Sequence, residues 1–242
     1  MMNQAIELET AAPPAFLDLR AWAFRTRSSG AASAERQKLP LQSGPAEVGV
    51  LRFERGRGSE GPRSVDEFVH VIEGELRLET SRGVICVTAA RDAMIPAGEV
   101  LSWRTQTPTR AIYMRYSGGA APGEGHGLID PSRPRRPSSA PAGDLMVGSS
   151  PECRSSTQYR SADGAFTCGI WESTAHARRA TTYAHHELMH LLHGAVTLED
   201  EHGRRAAFRA GDVVLVRRGA RTSWSSSMSV TKTFAMWRPA AG

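Results

Sequence analysis

The stretch DEFVHVIEG at residues 66–74 returns as HELMHLLHG at residues 186–194, 120 positions further along the chain. The two surrounding segments share six identities in 17 positions at this offset. The matched positions are Glu67, His70, Gly74, Leu78, Glu79 and Gly83, which correspond to Glu187, His190, Gly194, Leu198, Glu199 and Gly203. One inserted residue later, Gly98 and Trp103 correspond to Gly219 and Trp224. The chain therefore contains one unit written twice.

Each copy has the pattern of short β-strands. Leu76 and Leu78 alternate with charged residues, and the turn sequence Ser-Arg-Gly at 81–83 precedes the apolar run Val-Ile-Cys-Val at 84–87. The second copy repeats this alternation at Val196 and Leu198. Strict alternation over short runs, separated by glycine turns, is typical of antiparallel sandwiches and barrels. The sequence therefore predicts an all-β fold.

A segment near the middle of the chain separates the copies. Gly, Pro, Ser and Ala occupy 18 of the 26 positions in residues 117–142, a composition that cannot bury a core. We expect this segment to act as a linker, and we expect it and the first 45 residues to pack across the two units. The predicted divisions are an N-terminal extension (1–45), a first barrel (46–116), a linker and lead-in (117–165) and a second barrel (166–242).

These motifs resemble a known superfamily. Glu67 to Gly74 together with Ile95-Pro-Ala-Gly98 are similar to the two conserved blocks of a cupin. The second copy, with Gly169-Ile-Trp-Glu172, Glu187 to Gly194, Gly211-Asp212, Gly219 and Trp224, resembles the ureidoglycine aminohydrolase-type cupins. This resemblance implies a bicupin, in which two jelly-roll (double-stranded β-helix) barrels follow one another in tandem.

The resemblance also implies a possible metal site, which these residues fill incompletely. Metal-binding cupins use two His and one Glu from the first block and a further His from the second block. The carboxylate is present as Glu67 and Glu187, but the other positions hold no histidine. In the first copy these positions fall on Gly61, Arg63 and Leu101, and in the second copy on Thr181, Tyr183 and Thr222. If the first-block positions lie one residue earlier, they fall on Glu60 and Pro62 in the first copy and on Ala180 and Thr182 in the second. We therefore assign no metal ligands, although His185 and His186 beside Glu187 leave a displaced site open.

Glu187 is the best single candidate for a catalytic residue. A carboxylate inside an apolar barrel is expected to have a raised pKa and to serve as a general acid or base without a metal. The alternative is a structural Glu187 whose oxygens are satisfied by barrel hydroxyls. The predicted ligand-binding residues are Tyr183, Glu187, Thr222, Trp224, Glu67 and Trp103. The two tryptophans fit a pocket wall and a structural core equally well.

The residues His186-Glu-Leu-Met-His190 also form an HExxH motif, which on a helix binds zinc. The equivalent stretch, Asp66-Glu-Phe-Val-His70, lacks the first histidine and runs into a β-rich sequence. Since repeated copies share secondary structure, we predict a strand here. Alternation along that strand places His70 and His190 on the face opposite the two glutamates, where we expect them to pack between barrels or subunits.

Composition limits the function further. The chain has 40% hydrophobic and 23% charged residues, which is typical of a soluble globular protein, and no apolar run is long enough to span a membrane. The net charge of +5 comes from scattered arginines, so nucleic acid is not an expected partner. The opening residues predict no secretory signal, hence a cytoplasmic location. We expect a bicupin that binds a small molecule, and the sequence identifies no cofactor. The alternative function is hydrolysis of a small ureido or amide metabolite. A homodimer is the expected assembly.

Overall fold

A computed structural model describes residues 14–26, 33–42, 44–119 and 121–239. The first part of the chain contains helix α1 (Leu19–Arg25) and the strands β1 (Phe16–Asp18), β2 (Ala34–Lys38), β3 (Ala46–Phe53), β4 (Gly56–Glu60), β5 (Asp66–Glu73), β6 (Glu75–Thr80), β7 (Gly83–Thr88), β8 (Asp92–Ile95), β9 (Leu101–Thr105) and β10 (Thr109–Tyr116). The second part contains β11 (Gly127–Leu128), β12 (Arg136–Ser138), a 3-10 turn (Gly143–Leu145), β13 (Met146–Val147), β14 (Cys153–Arg160), β15 (Phe166–Ser173), β16 (His176–Thr182), β17 (His186–His193), β18 (Ala195–Asp200), β19 (Arg205–Arg209), β20 (Val213–Val216), β21 (Arg221–Ser226) and β22 (Val230–Trp237).

The strands form two similar units, each made of two sheets packed face to face. In the first unit, the sheet β11-β8-β5-β10-β3-β2 packs on the sheet β4-β9-β6-β7 around one apolar core. In the second unit, β1-β20-β17-β22-β15-β14-β12 packs on β13-β16-β21-β18-β19 around another. This confirms the predicted all-β fold with two jelly-roll units in tandem. The HExxH stretch lies in strand β17, as predicted from the repeat.

A third core joins the units, because the larger sheet of each is apolar on both faces. Phe68 and Ile112 of the first unit meet Ile170 and Leu188 of the second unit in one buried cluster. Residues on β5 alternate between the two cores: Val69 faces the interior of its own unit, and Phe68 faces the other unit. The face of the strand on which a residue lies therefore decides whether it packs in the core of its own unit or in the core between the two units, which we call the junction.

The N-terminal segment crosses between the units. Strand β1 pairs with β20 of the second unit, and Phe16 lies in that unit's core, whereas β2 pairs with β3 of the first unit. Asp18 caps α1 by accepting a hydrogen bond from the Ala21 N–H at 2.8 Å. Residues 1–13, 27–32 and 43 of the predicted extension, and residues 240–242 of the predicted second barrel, lie outside the described residues. The predicted domain boundaries stay a prediction.

The linker is held by backbone pairing rather than by a core of its own. Within it, β11 pairs with β8 of the first unit and β12 pairs with β14 of the second. Strand pairing uses N–H and C=O groups, so a segment rich in Gly, Pro and Ser joins a sheet edge without apolar side chains. The linker predicted from composition is therefore attached to both units.

The repeated glycines of the two blocks are required by the backbone. Gly74 and Gly194 close the turns after β5 and β17 with φ of +78° and +82°. A Cβ atom at Gly194 would lie 2.2 Å from the carbonyl oxygen of Ser229. Both the left-handed conformation and the lack of space exclude other residues, which explains why both copies keep glycine here.

Candidate functional site

A cavity with a volume of about 730 Å³ opens at the mouth of the second unit. Its walls come from strands β14 to β17, strand β22 and linker residues 138–141. Side chains of both kinds line it: the apolar Trp171, Phe234 and Met236, and the polar Arg178, Tyr183, His185, Glu187 and Lys232. A mostly apolar cavity with a few converging polar groups is the usual form of a small-molecule site.

The polar centre of this cavity is an ion pair between Glu187 and Lys232. The Lys232 Nζ lies 2.8 Å from Glu187 Oε1, and both side chains are buried. Burial alone raises the pKa of Glu187, but the charge of Lys232 and a hydrogen bond from His185 outweigh it, so the pKa lies well below its usual value. The raised pKa predicted from the sequence is therefore wrong, because that prediction did not include a buried lysine. Glu187 is a carboxylate at neutral pH.

Lys232 is enclosed by aromatic rings. Its Nζ lies 4.8 Å from the ring centre of Trp171 and 5.4 Å from that of Trp224, and 2.8 Å from the sulfur of Met189. Cation–π contacts of this kind stabilise an ammonium that has lost most of its water. No sequence motif marks Lys232 as a site residue. The available signal was that the chain has only two lysines, Lys38 and Lys232, in a strongly arginine-rich composition.

A second cation, Arg178, lines the cavity wall. Arg178 of β16 donates hydrogen bonds to the Tyr183 hydroxyl and to the Thr222 carbonyl oxygen, both at 2.9 Å. Burial raises the pKa of Tyr183, so its hydroxyl stays protonated. Thr222 pairs with Thr181 between neighbouring strands and is fully buried. Tyr183 thus reaches the cavity, whereas Thr222 supports the wall from behind.

The histidines beside Glu187 do not assemble into a metal site with it. The His185 Nε2 lies 3.5 Å from Glu187 Oε2, at the cavity rim. His186 lies on the opposite face of β17, where its Nδ1 accepts a hydrogen bond from the Arg218 N–H at 3.0 Å and its ring stacks on Trp237. Burial and the nearby arginines lower the pKa of His186 to about 4, so it is neutral.

The donor set in the second unit does not fit the transition metal that the cupin fold implies. Lys232 already supplies a positive charge at Glu187 Oε1, and a metal ion there would meet that ammonium. The equivalent positions for further ligands hold Thr181, Tyr183 and Thr222, which are poor ligands for such an ion. The charge of the Glu187 carboxylate is thus balanced by a lysine ammonium.

In the first unit, arginine side chains fill the space around Glu67, the equivalent of Glu187. Glu67 Oε1 accepts hydrogen bonds from Arg36 at 2.6 Å and Arg115 at 2.8 Å, and Oε2 contacts Arg63. Although burial raises the pKa of Glu67, the three guanidinium groups lower it to about 2. Only about 20 Å³ of space remains there, which is too little for a ligand. The predicted ligand-binding role of Glu67 therefore lacks a cavity.

The two repeated tryptophans are part of the cores. Trp103 packs on Phe53 with ring centres 4.9 Å apart, and Trp224 stacks on His176 at 5.8 Å. Both are almost completely buried. Of the six predicted ligand-binding residues, Tyr183 and Glu187 line the large cavity, Trp224 and Thr222 lie directly behind its wall, and Glu67 and Trp103 belong to the filled first unit.

Comparisons with known proteins agree with this architecture. Residues 160–234 match the model of the EutQ-like cupin domain. A protein of unknown function of the DUF861 family from Pseudomonas syringae pv. tomato has a similar structure, with a TM-score of 0.78 and 24% identity over 82% of this chain and 85% of that chain. No curated protein gives a significant match.

Two further solved structures share the fold across nearly the whole chain. A cupin 2 conserved barrel domain protein from Leptotrichia buccalis has a TM-score of 0.62 and 8% identity, covering 92% of this chain and 96% of that one. A salicylate 1,2-dioxygenase from Pseudaminobacter salicylatoxidans has a TM-score of 0.61 and 12% identity, covering 93% and 84%. The chain thus has the cupin fold in two units, and the second unit includes the residues that resemble the EutQ-like cupin domain. Within its described residues no helix is long and apolar enough to cross a membrane.

Proposed function

We propose that this protein binds a small organic anion, such as a carboxylate, in the cavity of the second unit. The observation that carries the proposal is the charge of the cavity wall. Four permanent cations line it, Arg160, Arg178, Lys232 and Arg238, against the single carboxylate of Glu187. The surplus of positive charge favours an anionic ligand.

Lys232 is the expected anchor for that anion. An ammonium has three N–H donors, and the described residues use two of them, at Glu187 and Met189. Lys232 lines the cavity, so we expect its third donor to bind a ligand oxygen. Arg178 and the Tyr183 hydroxyl add donors on the same wall, and Trp171 offers an apolar surface to the rest of the ligand.

Hydrolysis of a small ureido or amide metabolite is the second candidate function, and it uses the same pocket. It is favoured by the ionised Glu187, whose Oε2 lies 3.5 Å from His185 at the open side of the cavity. A carboxylate in this state accepts a proton from an attacking water. Its strongly lowered pKa makes Glu187 a weak base, which is why we rank binding first.

The homodimer expected from the sequence stays a prediction.

A thermal-shift screen with a panel of small carboxylates and their neutral amides tests the proposal. We expect a carboxylate to raise the melting temperature and its amide to leave it unchanged, because a ligand that binds only the folded state stabilises it. The Lys38→Met variant keeps the shift, and the double variant Glu187→Gln/Lys232→Met loses it. If no anion stabilises the protein, or if the double variant responds like the wild type, the proposal is wrong. Ammonia release from amides that Glu187→Gln abolishes would favour the hydrolase.

A further inference from the structure

A buried polar cluster lies between the two units, outside both barrels. It consists of His70, Asp92 and His190. The His70 Nδ1 lies 2.7 Å from one oxygen of Asp92, and the His190 Nδ1 lies 3.0 Å from the other. The two imidazole rings contact each other, with centres 4.0 Å apart. All three side chains are at most 5% exposed.

The duplication explains why these residues meet. His70 and His190 occupy the same repeat position on β5 and β17, and both face the junction because the barrel glutamates face the other way. Asp92 pairs with His70 across neighbouring strands. In the second unit the position that pairs with His190 is held by Val213, which has no carboxylate. Two histidines therefore share a single carboxylate.

The chemistry of the cluster matches a metal site. One potential ligand atom from each residue lies within 4.8 Å of the others. Two imidazoles and one carboxylate suit zinc and other first-row divalent ions.

We propose that His70, Asp92 and His190 bind one first-row divalent metal ion at the junction of the two units. The ion takes a ligand from each unit, so its binding stabilises their association. A site enclosed in this way has a structural role, because a substrate cannot reach it. It is separate from the second-unit cavity, none of whose lining residues belongs to it.

Metal titration of the untagged protein after chelator treatment and dialysis tests this inference. We expect one equivalent of Zn²⁺ to bind and to raise the melting temperature. X-ray absorption at the zinc edge should show two imidazoles and one oxygen ligand at about 2.0–2.2 Å without sulfur. This measurement uses the wild-type protein and does not depend on a variant that folds.

Variants then locate the ion. We expect His190→Gln and His70→Gln to lose the bound equivalent and the thermal shift, while His185→Gln at the cavity rim keeps both. Absence of stoichiometric binding would show a metal-free hydrogen-bonded cluster and overturn the proposal. Loss of zinc in His185→Gln, with retention in His190→Gln, would also overturn it, because it would place the metal at the barrel mouth.

Discussion

Replacing Lys232 by Met should destabilise the protein strongly at neutral pH and little in acid. At the 2.8 Å separation of Nζ and Glu187 Oε1, an effective relative permittivity of about 20 gives an attraction of about 6 kcal/mol. Part of this attraction offsets the loss of water by both groups. Removing one partner of such a pair leaves the other charge buried and unpaired, which costs about 3–5 kcal/mol. Methionine keeps the apolar contacts with Trp171 and Trp224, so the effect isolates the charge.

The pH dependence follows from the two states of Glu187. In the wild type its folded pKa lies below the unfolded value, so the pair stabilises the protein above about pH 4.5, and this stabilisation is lost as the pH falls. In Lys232→Met burial is opposed only by the contact with His185, so we expect the folded pKa of Glu187 to rise above the unfolded value. The variant is then penalised only as the pH rises past about 4.5. The difference in free energy of unfolding between the two proteins should be large at pH 7.5 and should shrink towards pH 4.

Urea unfolding at several pH values measures this difference, and the chain supplies a matched control. Lys38 also pairs with a glutamate, Glu47, at 2.6 Å, but its side chain is 64% exposed. Lys38→Met should therefore cost less than about 1 kcal/mol at any pH. The double variant Glu187→Gln/Lys232→Met should recover most of the stability. A cost of Lys232→Met that is the same at pH 4 and pH 7.5, or a double variant as unstable as the single one, would refute the reasoning.

Three further predictions concern the first unit and the turns. The pKa of Glu67 is about 2 in the folded state against 4.5 in the unfolded state, so its arginine contacts contribute about 3 kcal/mol to the free energy of unfolding. This contribution is present above pH 4.5 and is lost as the pH falls towards 2. Glu67→Gln should remove this acid-sensitive part of the stability in urea without changing ligand binding, and an unchanged acid sensitivity would contradict the prediction. Trp103→Ala should cost about 3–5 kcal/mol by leaving a cavity beside Phe53, whereas a change below 1 kcal/mol in urea unfolding would place the ring in solvent. Gly194→Ala should lower the melting temperature more than Gly203→Ala, whose added Cβ meets nothing within 4 Å, because the Cβ at Gly194 would lie 2.2 Å from Ser229 O; equal losses would show that only the positive φ matters.

The repeat made the fold predictable, because its period, its turn glycines and its alternation all constrain backbone geometry. The same alternation placed the glutamates inside the barrels and His70 and His190 at the junction, where the structure has them. It also showed that the HExxH stretch is a strand. These are local properties, so a sequence records them directly.

The state of Glu187 was not predictable in the same way. Its pKa depends on Lys232, which lies 45 positions away on another strand, and no spacing rule joins the two. Likewise, Glu67 is closed off by Arg36 from the N-terminal extension, a segment whose pairing with the first unit is not encoded by any motif. Burial and charge partners across strands follow from the folded chain rather than from the sequence pattern.

The most direct test of the central claim is a crystal structure of the protein with the carboxylate that gives the largest thermal shift. We predict that its carboxylate lies within hydrogen-bonding distance of Lys232 Nζ, in the cavity of the second unit, with no metal ion at Glu187. A ligand bound elsewhere, or a metal ion on Glu187 with Lys232 displaced, would contradict the account.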